Sequence, residues 1–348
     1  MGNAIYKISP TESAFTRARN VRHLTGGAAY SSWLEVAGQL NSQITILSMV
    51  EFNNELYAGT ANGARLFKWN GTNAWVQAMP QYGSSQQLYS LTVFNSKLYA
   101  LPSSADGTLL EWNGVDTWTV VSTTAMATMY NMIVYNLELY ATDTLFGKLY
   151  KWNGVNAWIE VAGQLGTTNA YSLVVYNNKI YSGTSEGIGG NAVLLEWNGT
   201  NAWSVVGTQS YGATIINQLA VFGGKLYAVS GGGGTARLLE WNNVDTLTSV
   251  GTASGQAATS LVEYDGGLHV TGAGDPSLYI WDGASTLTAV LDRYDSLIVH
   301  VMLEFDSKIY GGTETTARLL EYESGGGGWI RAKQMQHLRG ASYDRVNL

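Results

Sequence analysis

Seven times along the chain one short pattern recurs: an aromatic residue, two turn-formers, Leu-Tyr or its equivalent, a run of small residues, then Leu-x-x-Trp with Asn-Gly behind it in the fullest copies. The landmark tyrosine stands at Tyr57, Tyr99, Tyr140, Tyr181, Tyr227 and Tyr310, with His269 in the sixth slot. Successive gaps are therefore 42, 41, 41, 46, 42 and 41 residues. A unit of that length is one supersecondary element that cannot bury its own apolar face, so the copies have to stack on one another.

Each unit reads as four short strands. Strand a ends in Phe52, Phe94, Tyr135, Tyr176, Phe222, Tyr264 or Phe305. Pairs such as Asn53-Asn54 and Gly223-Gly224 follow, and they tolerate the φ > 0 of a two-residue hairpin. Strand b is Leu56-Tyr57-Ala58 or its equivalent, and Gly59, Gly183 and Gly312 just after it leave room for a neighbouring backbone. Strand c carries a leucine three residues before the first tryptophan position: Leu66, Leu109, Leu149, Leu194, Leu238, Leu278 and Leu319. Asn70-Gly71, Asn153-Gly154 and Asn198-Gly199 turn the chain into strand d. A period in the forties made of such strands predicts an all-β fold, a β-propeller of four-stranded antiparallel blades.

The twelve tryptophans follow the same frame. Six stand at the c position (Trp69, Trp112, Trp152, Trp197, Trp241, Trp281), five open strand d (Trp75, Trp118, Trp158, Trp203, Trp329), and Trp33 is left over. Recurrence at framework positions assigns these rings to the wedges between blades rather than to sugar stacking.

Seven blades are continuous, at about 44–78, 88–121, 129–162, 170–206, 214–250, 258–290 and 297–333. Ser32-Trp33-Leu34-Glu35-Val36-Ala37 reads like the d strand at Trp158, and Asn3-Ala4-Ile5-Tyr6 like a b strand. The favoured expectation is thus a single domain, 1–348, of eight blades, the terminal one built from 1–37 plus 338–348. The alternative is seven blades with docked tails.

Leu56-Tyr57-Ala58-Gly59-Thr60 followed by Gly63 and Leu66, with parallels at 180–184 and 309–313, resembles the repeat of regulator-type propellers. Repeats two, three, five and six depart at the Gly-Thr pair, so the resemblance concerns blade type. The Gly-His and Trp-Asp signatures of WD40 repeats are absent, and glycine and tryptophan spacing differs from kelch repeats. The resemblance implies relatives among bacterial sensors, lectins and tailed-phage virions.

Only 13% of the 348 residues are charged, net −7, a neutral-polar surface suited to protein or carbohydrate contact and ill suited to a nucleic-acid backbone. The two ends carry +6 between them, through Arg17, Arg19, Arg22, Arg331, Lys333, Arg339 and Arg345 together with Lys7 against Glu12 and Asp344, leaving −13 between. This basic seam would orient the molecule on an acidic partner. Cysteine is absent, and no apolar segment has the length of a membrane span or a Sec signal. The four histidines have no metal-ligand spacing, the carboxylates no glycosidase pairing, and the glycine runs 231–234 and 325–328 no phosphate-loop lysine. No metal, cofactor or catalytic residue is expected.

His300 lies on an inner strand, with Tyr89, Tyr130, Tyr171 and Asn217 at the matching position, and the five are read as channel lining. Outside the frame, Tyr82, Tyr211 and Tyr294 sit on variable loops of one face, where binding usually resides, and are the expected contact residues. The expected function is a non-enzymatic scaffold, specifically a tail, attachment or decoration component of a tailed-phage virion, assembled in the host cytoplasm beside other virion proteins. A soluble glycan-binding propeller is the alternative, and a propeller glycosidase or lyase the third reading.

Overall fold

Seven inner hairpins set the geometry. Their turn residues are Asn53-Asn54, Asn95-Ser96, Asn136-Leu137, Asn177-Asn178, Gly223-Gly224, Asp265-Gly266 and Asp306-Ser307, all with φ between 46° and 75°. Positive φ at both central residues matches the right-handed twist of the flanking strands. The computed structural model describes residues 5–8, 31–39, 42–85, 87–123, 128–143, 145–166, 169–185, 190–255, 257–273, 277–284, 286–291, 294–324 and 343–346.

The chain divides into two compact units, 33–323 and the two termini. The larger is a β-propeller. Five four-stranded antiparallel sheets and one eight-stranded sheet make it up, the latter being two blades joined through Ser185 and Ile215. Blades 1 to 6 span 46–79, 88–122, 129–162, 169–207, 215–252 and 258–291, with strands a to d in chain order. Blade 7 takes strands a to c from Val299–Phe305, Lys308–Thr313 and Leu319–Glu323, and its outer strand is Ser32–Ala37. Strand a of every blade lies against strand a of the next, blade 7 against blade 1, so the ring is closed.

This corrects the favoured eight-blade assembly. The segment around Trp33 is a d strand, as its sequence says, but it hydrogen-bonds to the exposed edge of Leu319–Glu323 and completes blade 7. That edge would otherwise be a row of unpaired backbone groups. Trp329, assigned to strand d of the seventh repeat, lies outside the described residues. The expected pairing of the two ends is present: Ile5–Ile8 runs antiparallel to Tyr343–Val346, from Ile5 opposite Val346 to Ile8 opposite Tyr343.

Each of the seven interfaces between blades has its own buried cluster. At its centre the c-position aromatic of one blade meets the landmark ring and the strand-a aromatic of the preceding blade. Trp112 stands 5.2 Å from Tyr57 and 6.1 Å from Phe52. Trp152 repeats this with Tyr99 and Phe94, Trp197 with Tyr140 and Tyr135, and Trp241 with Tyr181 and Tyr176. Trp281 packs in the cluster of Tyr227 and Phe222. In blade 7 Tyr322 takes the tryptophan position and faces His269, and Trp69 closes the ring on Tyr310 and Phe305. His269 is thus a framework residue, and the burial that surrounds it lowers its pKa and keeps it neutral.

The close approach expected after strand b is real. A Cβ on Gly59 would fall 2.7 Å from Ser48 Oγ and 3.0 Å from the Leu88 carbonyl of blade 2, and one on Gly312 2.6 Å from Ile46 of blade 1.

Two stability outcomes follow. Removing 31–37 strips an entire strand and the Trp33 cluster and should cost the ring several kcal/mol in urea unfolding, whereas removing 340–348 should leave its midpoint nearly unchanged. The opposite ranking would restore the eight-blade assembly. Leu137, at φ 60° and 86% exposed, carries left-handed strain with no packing to offset it, so Leu137→Gly should stabilise by about 1 kcal/mol.

Candidate functional site

The innermost strands share an irregularity that the repeat pattern conceals. In blade 1 Ile46 pairs with Thr60 and Ser48 with Gly59, which leaves Leu47 as an extra residue. The register slips at the same place in every blade, leaving out Tyr89, Tyr130, Tyr171, Asn217 and His300, with Thr259 at that position in blade 6. A bulge re-aims one side chain and frees it from sheet packing. The residue just before each bulge, from Ile46 to Val299, is buried, while all seven bulge residues are half-buried. They form one layer around the central channel.

That layer is divided in character. In blades 2 to 4 the rings of Tyr89, Tyr130 and Tyr171 follow one another at 5.0 and 4.5 Å, and the Tyr130 hydroxyl donates to that of Tyr171 at 2.6 Å. Burial, reinforced by Tyr171, raises the Tyr130 phenol far above its ordinary pKa, and burial raises Tyr89 as well. In blades 5 to 7 the layer is polar. Asn217 Nδ2 donates to the Ala258 carbonyl at 2.7 Å, Thr259 Oγ1 to the Val299 carbonyl at 2.8 Å, and His300 Nδ1 lies 2.8 Å from Glu314 Oε1. The hydrogen bond with His300 holds the Glu314 carboxyl below the usual carboxylate range against the effect of its burial.

The sequence reading thus found five of the seven bulge residues and missed Leu47, Thr259 and Glu314. Numbering back ten residues from each landmark would have supplied the first two. Glu314 was legible only as the sole acid at its repeat position.

Tyr82, Tyr211 and Tyr294 are half-buried in loops on the face where strand d leads into the next strand a, and each packs against an interface cluster. The Tyr211 hydroxyl accepts from Ser249 N at 3.0 Å while Arg237 lies over its ring at 4.7 Å. Tyr294 donates to Glu35 at 3.2 Å, and Glu35 also takes Arg318 Nη1 at 2.7 Å. Burial, then the Glu35 charge, pushes the Tyr294 phenol up to about 12. The structure does not bring the three together into one cluster. Arg17, Arg19, Arg22, Arg331, Lys333 and Arg339 lie outside the described residues, and Arg345 pairs through its backbone with Tyr6.

The opposite end of the blades is held by a repeated polar triad. The landmark hydroxyl donates to a glutamate that also binds a lysine: Tyr57 with Glu55 and Lys68, Tyr99 with Glu111 and Lys97, Tyr140 with Glu138 and Lys151, Tyr181 with Glu196 and Lys179. The acid and base exchange strands between blades. A groove of about 330 Å³ opens there beside Tyr135, Glu138, Lys151 and Trp197.

No protein-family model and no curated protein matches the sequence. Solved structures do match its fold. Streptogramin B lyase is similar at 9% identity over 85% of this chain and 99% of its own, TM-score 0.68. YCF48 bound to D1 peptide is similar at 14% over 84% and 97%, TM-score 0.61. The extracellular domain of the hybrid two-component system BT4673 from B. thetaiotaomicron is similar at 14%, TM-score 0.65, and there this chain spans only 39% of the other's length. At these identities the likeness carries the fold, and the protein is a propeller-repeat protein.

The landmark phenols generate a pH outcome. Burial first, and then the hydrogen bond to glutamate, raises Tyr57, Tyr99, Tyr140 and Tyr181. A raised folded value means that the stabilisation is complete below the unfolded tyrosine value of about 10 and is lost as pH climbs through the folded values. Urea midpoints should hold through neutral pH and fall only above about pH 10. Tyrosinate absorbance of the native protein should lag behind that of the denatured chain, and coincident titrations would refute the triads.

Proposed function

We propose that this propeller is a non-enzymatic interaction scaffold that receives part of a partner protein at the channel mouth. The single observation that carries the reading is the divided layer of bulge residues. Positions that hold blades together repeat their chemistry, whereas this layer changes from Leu47 through three tyrosines to Asn217, Thr259 and His300. Side chains released from packing at a bulge and varied around a rigid ring are suited to recognition. Tyr82, Tyr211 and Tyr294 on the surrounding loops would supply outer contacts, and the basic terminal residues would favour an acidic partner surface. That YCF48 was solved with a peptide is a precedent on the same fold.

Within this reading the setting that best suits the neutral-polar, cysteine-free chain is the virion of a tailed phage, as a tail, attachment or decoration component. A second reading, a glycan-binding propeller, is favoured by one feature: phenol, amide and hydroxyl groups converge on one channel, a donor and acceptor set that suits neutral sugars.

Peptide and glycan arrays probed with the wild type and with Tyr171→Ala separate the readings. Peptide signals that fall in the variant are expected. Saccharide signals would transfer the case to the glycan reading, and silence on both arrays, or signals indifferent to Tyr171, would end both. For the virion setting, mass spectrometry of particles from a phage encoding the chain should find it as a structural protein, and its absence from them would overturn that setting.

A further inference from the structure

The seven repeats serve as an internal comparison, and one of them departs twice in the same place. Four residues after the landmark stand Ala61, Ser103, Thr144, Ser185, Gly231, Ala273 and Glu314. Six are small or neutral and one is an acid. The position is held alike in blades 1, 2, 6 and 7. Ala61 N donates to the Thr45 carbonyl, Ser103 N to Gln87, Ala273 N to Ala257 and Glu314 N to Ile298, in each case two residues before the bulge. The bulge residue in that seventh blade is likewise the sole imidazole of its layer. The two departures meet, His300 Nδ1 against Glu314 Oε1 at 2.8 Å, each side chain about a third exposed at 32% and 33%. Scaffold packing does not ask for this pair, because other blades hold the same backbone without it.

We propose that His300 and Glu314, facing the arc of Tyr89, Tyr130 and Tyr171, form a receptor for a basic side chain, a lysine ammonium or an arginine guanidinium, that a partner polypeptide inserts into the channel mouth. The proposal rests on the interaction-scaffold reading and names what that site takes.

Three observations select a cation. First, a carboxylate oxygen only accepts, so the neutral imidazole tautomer that suits the 2.8 Å contact carries its proton on Nδ1, which leaves Nε2 and the second carboxylate oxygen as acceptors. Second, of the four described cations that stand just before the strand-c leucine, Lys148 is turned to Glu160, Arg318 to Glu35 and Arg237 onto the Tyr211 ring, and no ion pair among the described residues joins the fourth, Arg65, to Glu314. An anion would meet an uncompensated carboxylate, and a neutral ligand would strip that carboxylate of water with nothing in return. Third, the opposite arc is aromatic, and phenol rings attract a cation through their π-faces.

The test uses the purified full chain with small probes: lysine amide and arginine amide as cations, norleucine amide and glucose as neutral controls. Ring resonances of tyrosine and histidine are followed by NMR. Saturable shifts are expected with the two cations only, weakened about tenfold or more in Glu314→Gln, as loss of a charge-assisted contact implies. Glu314→Ala supplies the small residue natural to the other blades, so it should fold as they do and show the same loss. Equal response to norleucine amide or glucose, unchanged cation affinity in either variant, or no response to any probe overturns the proposal. A Glu314-dependent response to the amides beside silent peptide arrays would remove the scaffold reading while leaving the receptor. Array signals with no preference for lysine or arginine would do the reverse.

Discussion

One contact, repeated seven times, sustains this architecture: the aromatic ring at the end of strand c seated on the landmark ring and the strand-a aromatic of the preceding blade. A four-stranded blade exposes apolar residues on both faces, so alone it would lack a core. The wedge-shaped gap between twisted sheets is too wide for aliphatic side chains and suits large rings packed edge to face, each pair adding about 0.5–1.5 kcal/mol beyond its buried area. The seventh copy, Trp69 on Tyr310 and Phe305, joins the last blade to the first. Closure is thus made with the same contact as every other step.

What was legible in the sequence followed from that repetition. Phe52, Tyr57, Leu66 and Trp69 are constrained by packing, packing recurs every blade, and a recurring constraint leaves a recurring residue. The same logic identified Ser32–Ala37 as a d strand from its likeness to the strand at Trp158. It could not say which edge the strand would meet, because pairing with Leu319–Glu323 is a long-range event with no local signature. The Glu–Tyr–Lys triads escaped for another reason. Electrostatics is indifferent to which strand carries the acid, so Glu55 and Lys68 in blade 1 become Lys97 and Glu111 in blade 2. Two residues that trade places do not read as a repeat.

The bulge layer obeys the opposite rule. A side chain there contributes little to the sheet, so the sequence is free to place tyrosine in one blade and histidine in another. The framework keeps these unlike residues at one height around the axis. Blade 6 shows how far the framework tolerates change: Gly267, His269 and Ile280 together replace the triad found elsewhere, and a Cβ on Gly267 would fall 2.8 Å from Ile280. The polar contact is exchanged there for an apolar one, and the aromatic contact to Tyr322 survives.

The borrowed outer strand of blade 7 has a consequence for biosynthesis. Ser32–Ala37 leaves the ribosome long before its partner Leu319–Glu323, with 282 residues from Ala37 to Leu319. Blades 1 to 6 can be added in turn as they are made, each stacking on the one before, since their strands are neighbours in sequence. The ring cannot shut until Leu319–Glu323 is out, and the entropy of bringing such distant segments together falls on that closing step. Until then the first blade waits with one flank bare, a growing arc with two sticky ends. The clasp therefore works as a checkpoint of length: a chain cut short in translation before Leu319 keeps an open stack of blades and never becomes a closed ring.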